Sequence, residues 1–129
     1  MKKGGRELLA ALKESHIPVA LATSTAQASV LKELKDAGIR DYFDQVICGD
    51  MVSHSKPHPE IFLTACAALG AKPEKTIVIE DSYNGIRAAH AGGMMPVMVP
   101  DMLQPTEEIE KMTIAVCESL LVVKENIGL

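Results

Sequence analysis

A three-layer α/β fold, a Rossmann-like parallel sheet with helices on both faces, is what this sequence predicts. Three observations predict it. Short apolar, β-branched runs alternate along the chain with segments of helical periodicity, and strand–helix alternation means parallel strands joined by right-handed crossovers. The run Thr76-Ile77-Val78-Ile79 has no polar alternation, which suits a strand buried on both faces of such a sheet. Polar and charged residues gather just beyond the ends of successive runs, where open α/β sheets hold ligands.

The first element is a short amphipathic helix from Arg6 to Ser15, with Leu8, Leu9, Ala11 and Leu12 on its apolar side. Pro18-Val19-Ala20-Leu21-Ala22 reads as a buried strand, opened by proline where a strand tolerates it. Thr23-Ser24-Thr25 follow, three hydroxyls that suit a helix cap or an anion. The next helix runs to about Asp36, with Val30, Leu31 and Leu34 inward and Gly38 as its stop. Gln45 to Gly49 is the second strand, and Asp50 to Pro59 a polar loop. Pro59 and Glu60 open a third helix that Gly70 closes. The third strand, 76–80, leads into a helix capped by Ser82 and ended by Gly92-Gly93. Met95 to Val99 is a fourth strand. The tail suggests a helix near 106–112, a marginal strand at 114–117 and a last helix.

Composition narrows the function classes. A chain of 129 residues with 47% apolar content is expected to form one globular domain over 1–129. Two Phe, two Tyr and no Trp make the core aliphatic and leave few stacking platforms for single-stranded nucleic acid. A net charge of −4 without a Lys/Arg cluster disfavours both nucleic-acid and anionic-membrane surfaces. No apolar run approaches a membrane span, and no hydrophobic signal region opens the chain. Cys48, Cys66 and Cys117 are odd in number and widely spaced. Cys48 and Cys66 read as small core residues, and a reducing cytoplasm is the expected setting.

Three polar sites stand at or beyond the carboxyl ends of successive strands: Thr23-Ser24, Lys56 and Glu80-Asp81. In a parallel sheet those ends share one edge, so the sites are expected to converge in one crevice. Hydroxyls beside a helix start bind phosphate, and a lysine neutralises it or a nearby carboxylate. Adjacent carboxylates repel one another, so Glu80 and Asp81 call for a hard cation such as Mg²⁺. Together they describe a phosphoryl-transfer site. Each piece also has a plainer reading: a helix cap for the hydroxyls, an exposed loop lysine, a solvated strand end. His54 and His58 flank Lys56 but lack a third ligand, and read as solvated loop residues. Asp50 suits a crevice wall or a strand-end cap.

The sequence resembles the haloacid dehalogenase-like hydrolases, nearest to the β-phosphoglucomutase and phosphoglycolate-phosphatase group. The resemblance covers roughly residues 4 to 100. Ala20-Leu21-Ala22-Thr23-Ser24 matches the family's second motif, which implies that Thr23 contacts the transferring phosphoryl group. Ser55 to Phe62 matches the third, whose lysine is Lys56. Ile79 to Ile86 matches the fourth, which implies Glu80 and Asp81 as Mg²⁺ ligands. The activity implied is a phosphatase or phosphomutase reaction on a small phosphorylated metabolite such as a sugar phosphate.

One motif has no counterpart. The family's Asp-x-Asp pair, ending its first and central strand, supplies the nucleophile and the general acid/base, and no aspartate here follows an amino-terminal hydrophobic strand. By resemblance the chain begins after the helical cap, as the carboxyl-terminal part of the core, and is expected to be inactive alone. A second reading is a non-catalytic protein of the same fold that serves binding or assembly. A dinucleotide-binding domain is a weaker third, since no glycine fingerprint follows the first strand. In the family's sheet the absent strand lies between those ending at Thr23 and at Asp81. The two edges are therefore expected to close together, to exchange strands with a second copy, or to hold the missing amino-terminal segment. Edge pairing favours a homodimer.

Overall fold

A computed structural model describes residues 4–100 and 104–129. Helix α1 (Gly5–Glu14) buries Leu8 and places Glu7 in its first turn and Lys13 in its last, as the helix dipole favours. Strand β1 (Ala20–Ala22) leads to α2 (Gln27–Ala37), which buries Val30 and Leu34 and stops at Gly38 in the left-handed conformation (φ 71°). Strand β2 (Gln45–Ile47) and α3 (Glu60–Leu69) follow, then β3 (Ile77–Glu80) and α4 (Tyr83–Ala91). Strand β4 (Met95–Met98), α5 (Glu107–Met112), β5 (Ala115–Val116) and α6 (Leu120–Asn126) complete the chain. Single 3₁₀ turns at Arg40–Tyr42, Gly49–Met51 and Pro73–Lys75 have no counterpart in the sequence reading.

Every strand pairing is parallel, and helices lie on both faces, so the α/β class is as expected. The strands are parted where the absent strand is expected to lie. Strands β1 and β2 form one sheet and β3, β4 and β5 another, with no ladder between β1 and β3. Direct closure of those two strands is therefore not what this structure adopts.

The two half-sheets share helices. On one face α3 gathers Ala20 and Ala22 of β1, Ile47 of β2 and Val78 of β3 into one core with Ile61, Phe62 and Ala65. On the other, α1 gives Leu9 to the cluster around Leu21 and Val30, and Leu8 to the cluster of Val97, Val99 and Val123. Helices thus bridge the split above and below.

The split also corrects the expected burial of β3. Val78 is buried, but Ile77 and Ile79 remain 40% and 37% exposed. They lie on an edge strand whose second face no helix covers fully. The strand ending at Ala22 is likewise only half-buried throughout. Cys48 and Cys66 are buried free thiols as expected; Cys117 is a third, and Met94 and Met98 fill core space.

Candidate functional site

The carboxyl ends of β1 and β3 and the loop before α3 open on one crevice of about 650 Å³. Thr23, Ser24, Lys56, Glu80 and Asp81 all line it, so the residues singled out from sequence are brought together.

Lys56 and Glu80 meet directly. The lysine Nζ donates to Glu80 Oε2 at 2.8 Å, with only 14% and 13% of the two side chains exposed. Its ammonium also stands 4.9 Å from the Phe62 ring centroid, a cation–π distance. The other oxygen, Oε1, accepts from the Asp81 N–H at 3.1 Å and the Ser82 hydroxyl at 3.4 Å. Ser82 in turn caps α4, accepting from the Gly85 N–H at 3.0 Å. Gly85 leaves room for this carboxylate: a Cβ there would stand 2.2 Å from Glu80 Cγ and Cδ.

The lysine loop is closed by Glu60, whose signals in the sequence were its place at a helix start and within the 55–62 motif. Its carboxylate accepts from the Ser53 N–H at 2.6 Å and the His54 N–H at 3.2 Å. The Ser53 bond above all holds the Glu60 carboxyl below its ordinary value of 4.5, against a smaller opposing effect of burial. His58 Nδ1 accepts from the Glu60 N–H at 3.1 Å, and the His54 and His58 rings stack at 4.6 Å. Both histidines are thus loop residues, and no three metal-ligating side chains cluster among the described residues.

The hydroxyl loop is held from the neighbouring strand. Thr23 Oγ1 accepts from the Thr25 N–H at 3.2 Å, and the Thr25 carbonyl accepts from the Gly49 N–H at 3.1 Å. Asp50 is exposed and stands outside the crevice wall; its carboxylate accepts from the Gln27 N–H at the start of α2. Burial, and secondarily Asp50, push the Cys48 thiol up, consistent with an inert core cysteine.

The donor set suits a hard cation in part. Glu80 and Asp81 put two carboxylates on one strand end, but Glu80 already has a lysine and two further donors. A cation bound here would keep several waters or draw ligands from elsewhere.

The profile of haloacid dehalogenase-like hydrolases matches residues 1–99. The chain belongs to that family. The phosphorylated carbohydrates phosphatase of Thermotoga maritima is 43% identical over 91 residues, covering 70% of this chain and 42% of that protein. Hexitol phosphatase B of Escherichia coli is 36% identical over 97 residues, covering 75% of this chain and 44% of the relative. The crystal structure of CbbY from Rhodobacter sphaeroides in complex with phosphate superposes at a TM-score of 0.83 and 32% identity, covering 92% of this chain and 54% of that one. A β-phosphoglucomutase from Clostridium difficile reaches 0.79 at 30% identity, covering 98% and 57%. The chain spans about half the length of the curated relatives it matches. Within the haloacid dehalogenase-like hydrolases its likeness is to the β-phosphoglucomutase and phosphatase group.

Proposed function

We propose that this chain forms part of a Mg²⁺-dependent phosphoryl-transfer site for a small phosphorylated metabolite such as a sugar phosphate. The observation that carries the reading is the Lys56–Glu80 contact inside a crevice that also presents Thr23, Ser24 and Asp81. Thr23 and Ser24 offer hydroxyls to phosphate oxygens, and Lys56 places a fixed positive charge within the same space. Glu80 and Asp81 are the residues that would hold Mg²⁺, which neutralises phosphate charge when bound. The names of the matched relatives, phosphatases of phosphorylated carbohydrates and hexitols, favour this substrate class. Burial of all three cysteines as free thiols accords with a reducing, cytoplasmic setting. No helix among the described residues is long and apolar enough to cross a membrane.

The phosphoryl-accepting aspartate is the part this reading takes from outside the described residues, on a strand seated between β1 and β3. An amino-terminal segment is the proposed source; a second copy of this chain, which has no Asp-x-Asp pair, would complete the sheet without supplying that aspartate. Reading the coding sequence upstream of Met1 tests it: an in-frame Asp-x-Asp after a hydrophobic strand supports the enzyme. Its absence, together with a crevice that stays empty in high phosphate, favours a binding or assembly role. Sedimentation of the 129-residue chain is expected to show a dimer.

A further inference from the structure

We infer that Asp50 is a positioning residue for the hydroxyl loop, capping α2 from the neighbouring strand and so setting where Thr23, Ser24 and Thr25 stand. The inference rests on the reading of the crevice as an anion site. Helix α2 lacks a cap of its own. Its N-cap residue is Ala26, which offers no side-chain acceptor, and its first turn holds no acidic residue. The opening amides of a helix need acceptors, and that end is electropositive. Asp50 answers both needs from 23 residues away, with Oδ1 at 3.2 Å and Oδ2 at 3.4 Å from the Gln27 nitrogen.

The same 3₁₀ turn, Gly49–Met51, grips the loop at two further points. Gly49 donates its N–H to the Thr25 carbonyl, and its missing Cβ admits the Ser24 carbonyl oxygen, which would otherwise stand 2.1 Å from it. Ser24, Thr25 and Gln27 are therefore all referenced to the end of β2. Asp50 itself does not line the crevice, so it acts on a ligand only through that loop. Its carboxylate also occupies the Gln27 amide, leaving phosphate to the hydroxyls and Lys56 rather than to that helix amide.

Two physical effects of Asp50 have opposite signs, and this makes the role testable. As a nearby negative charge it weakens anion binding; as a cap it strengthens binding by ordering the loop. The experiment titrates inorganic phosphate into the ¹⁵N-labelled chain and follows the amides of residues 23–25. Asp50→Ala is expected to bind phosphate about fivefold more weakly, the equilibrium factor of one lost helix cap. Asp50→Asn, a cap without the charge, is expected to bind at least as tightly as the parent. Should Asp50→Ala not fold, Asp50→Glu replaces it: it keeps the charge but displaces the carboxylate, and weaker binding than in Asp50→Asn is expected. Phosphate affinity in Asp50→Ala equal to or above the parent overturns the inference, as does equal affinity in the Glu and Asn variants. A parent chain whose loop amides do not move with phosphate removes the anion reading itself, and this inference with it.

Discussion

Replacing Lys56 by Met removes one charge, and with it the ammonium beside Phe62, and keeps most of the aliphatic stem. The partner left behind is the Glu80 carboxylate, 13% exposed, with the Asp81 N–H and the Ser82 hydroxyl as its remaining donors among the described residues. Stranding one member of a buried pair costs about 3–5 kcal/mol. Here the crevice is open, so water reaches part of the carboxylate, and about 2–3 kcal/mol is the expected loss. Urea unfolding in the presence of a chelator reads it as a midpoint lower by roughly 1–2 M at unchanged slope. Glu80→Gln and the double variant complete a cycle whose coupling is expected to exceed about 1 kcal/mol. Added Mg²⁺ is then expected to restore part of the loss in Lys56→Met, because a cation takes the place of the ammonium. A loss below about 0.5 kcal/mol, with additive single changes, refutes the argument and makes the contact an ordinary surface ion pair.

Mg²⁺ titrated into the isolated chain is expected to bind weakly, and Asp81→Asn to abolish most of that binding by calorimetry; equal binding in the variant removes Asp81 from the metal site. Gly85→Ala drives a methyl against Glu80 and is expected to cost about 1–3 kcal/mol in unfolding experiments, with the Lys56–Glu80 contact displaced. The Glu60 carboxyl titrates below its ordinary 4.5 in the folded chain, so its stabilisation is complete above that value and is lost as pH falls through the lower, folded value. Protection of the Ser53 and His54 amides against hydrogen exchange, taken relative to their intrinsic rates, is expected to fall over that acid window in the parent. In Glu60→Gln that protection should already be low and nearly independent of this titration.

The order of elements and the convergence of Thr23, Lys56 and Glu80 were legible because both rest on local pattern. Apolar runs and glycine stops set the elements, and parallel strands put every carboxyl end on one edge. The contacts that hold the site were not legible, since they cross the chain. Asp50 reaches Gln27 over 23 residues and Lys56 reaches Glu80 over 24, and neither separation leaves a periodic trace. Glu60 was legible as the opening of a helix; its work on the Ser53 and His54 amides depends on a loop that folds back. The exposure of Ile77 and Ile79 escaped for a related reason. A run such as 76–80 reports its own hydrophobicity, whereas its burial depends on which strands stand beside it.

The split between β1 and β3 follows a consistent chemistry. Val19 accepts from Asp44 and Thr23 donates to Ile47, so alternate residues of β1 face β2, and the peptide groups of Ala20 and Ala22 face away. On β3, Thr76 and Glu80 accept from Met95 and Val99, which turns the peptide groups of Ile77 and Ile79 outward as well. Two parallel edges thus offer alternating donors and acceptors across one opening, and helices bridge it on both faces through α3 and α1. Unpaired groups of this kind cost about 1–3 kcal/mol each when buried. In an opening continuous with the crevice they keep water, which lets the split exist at smaller cost while Ile77 and Ile79 remain partly wetted. An extended apolar segment laid parallel between the edges would pair both sets of peptide groups and cover both isoleucines. Its carboxyl end would then fall at the edge where Thr23, Lys56 and Glu80 already meet. The edge pattern thereby couples the two halves of the proposed function: whatever completes the sheet also delivers its last residues to the crevice.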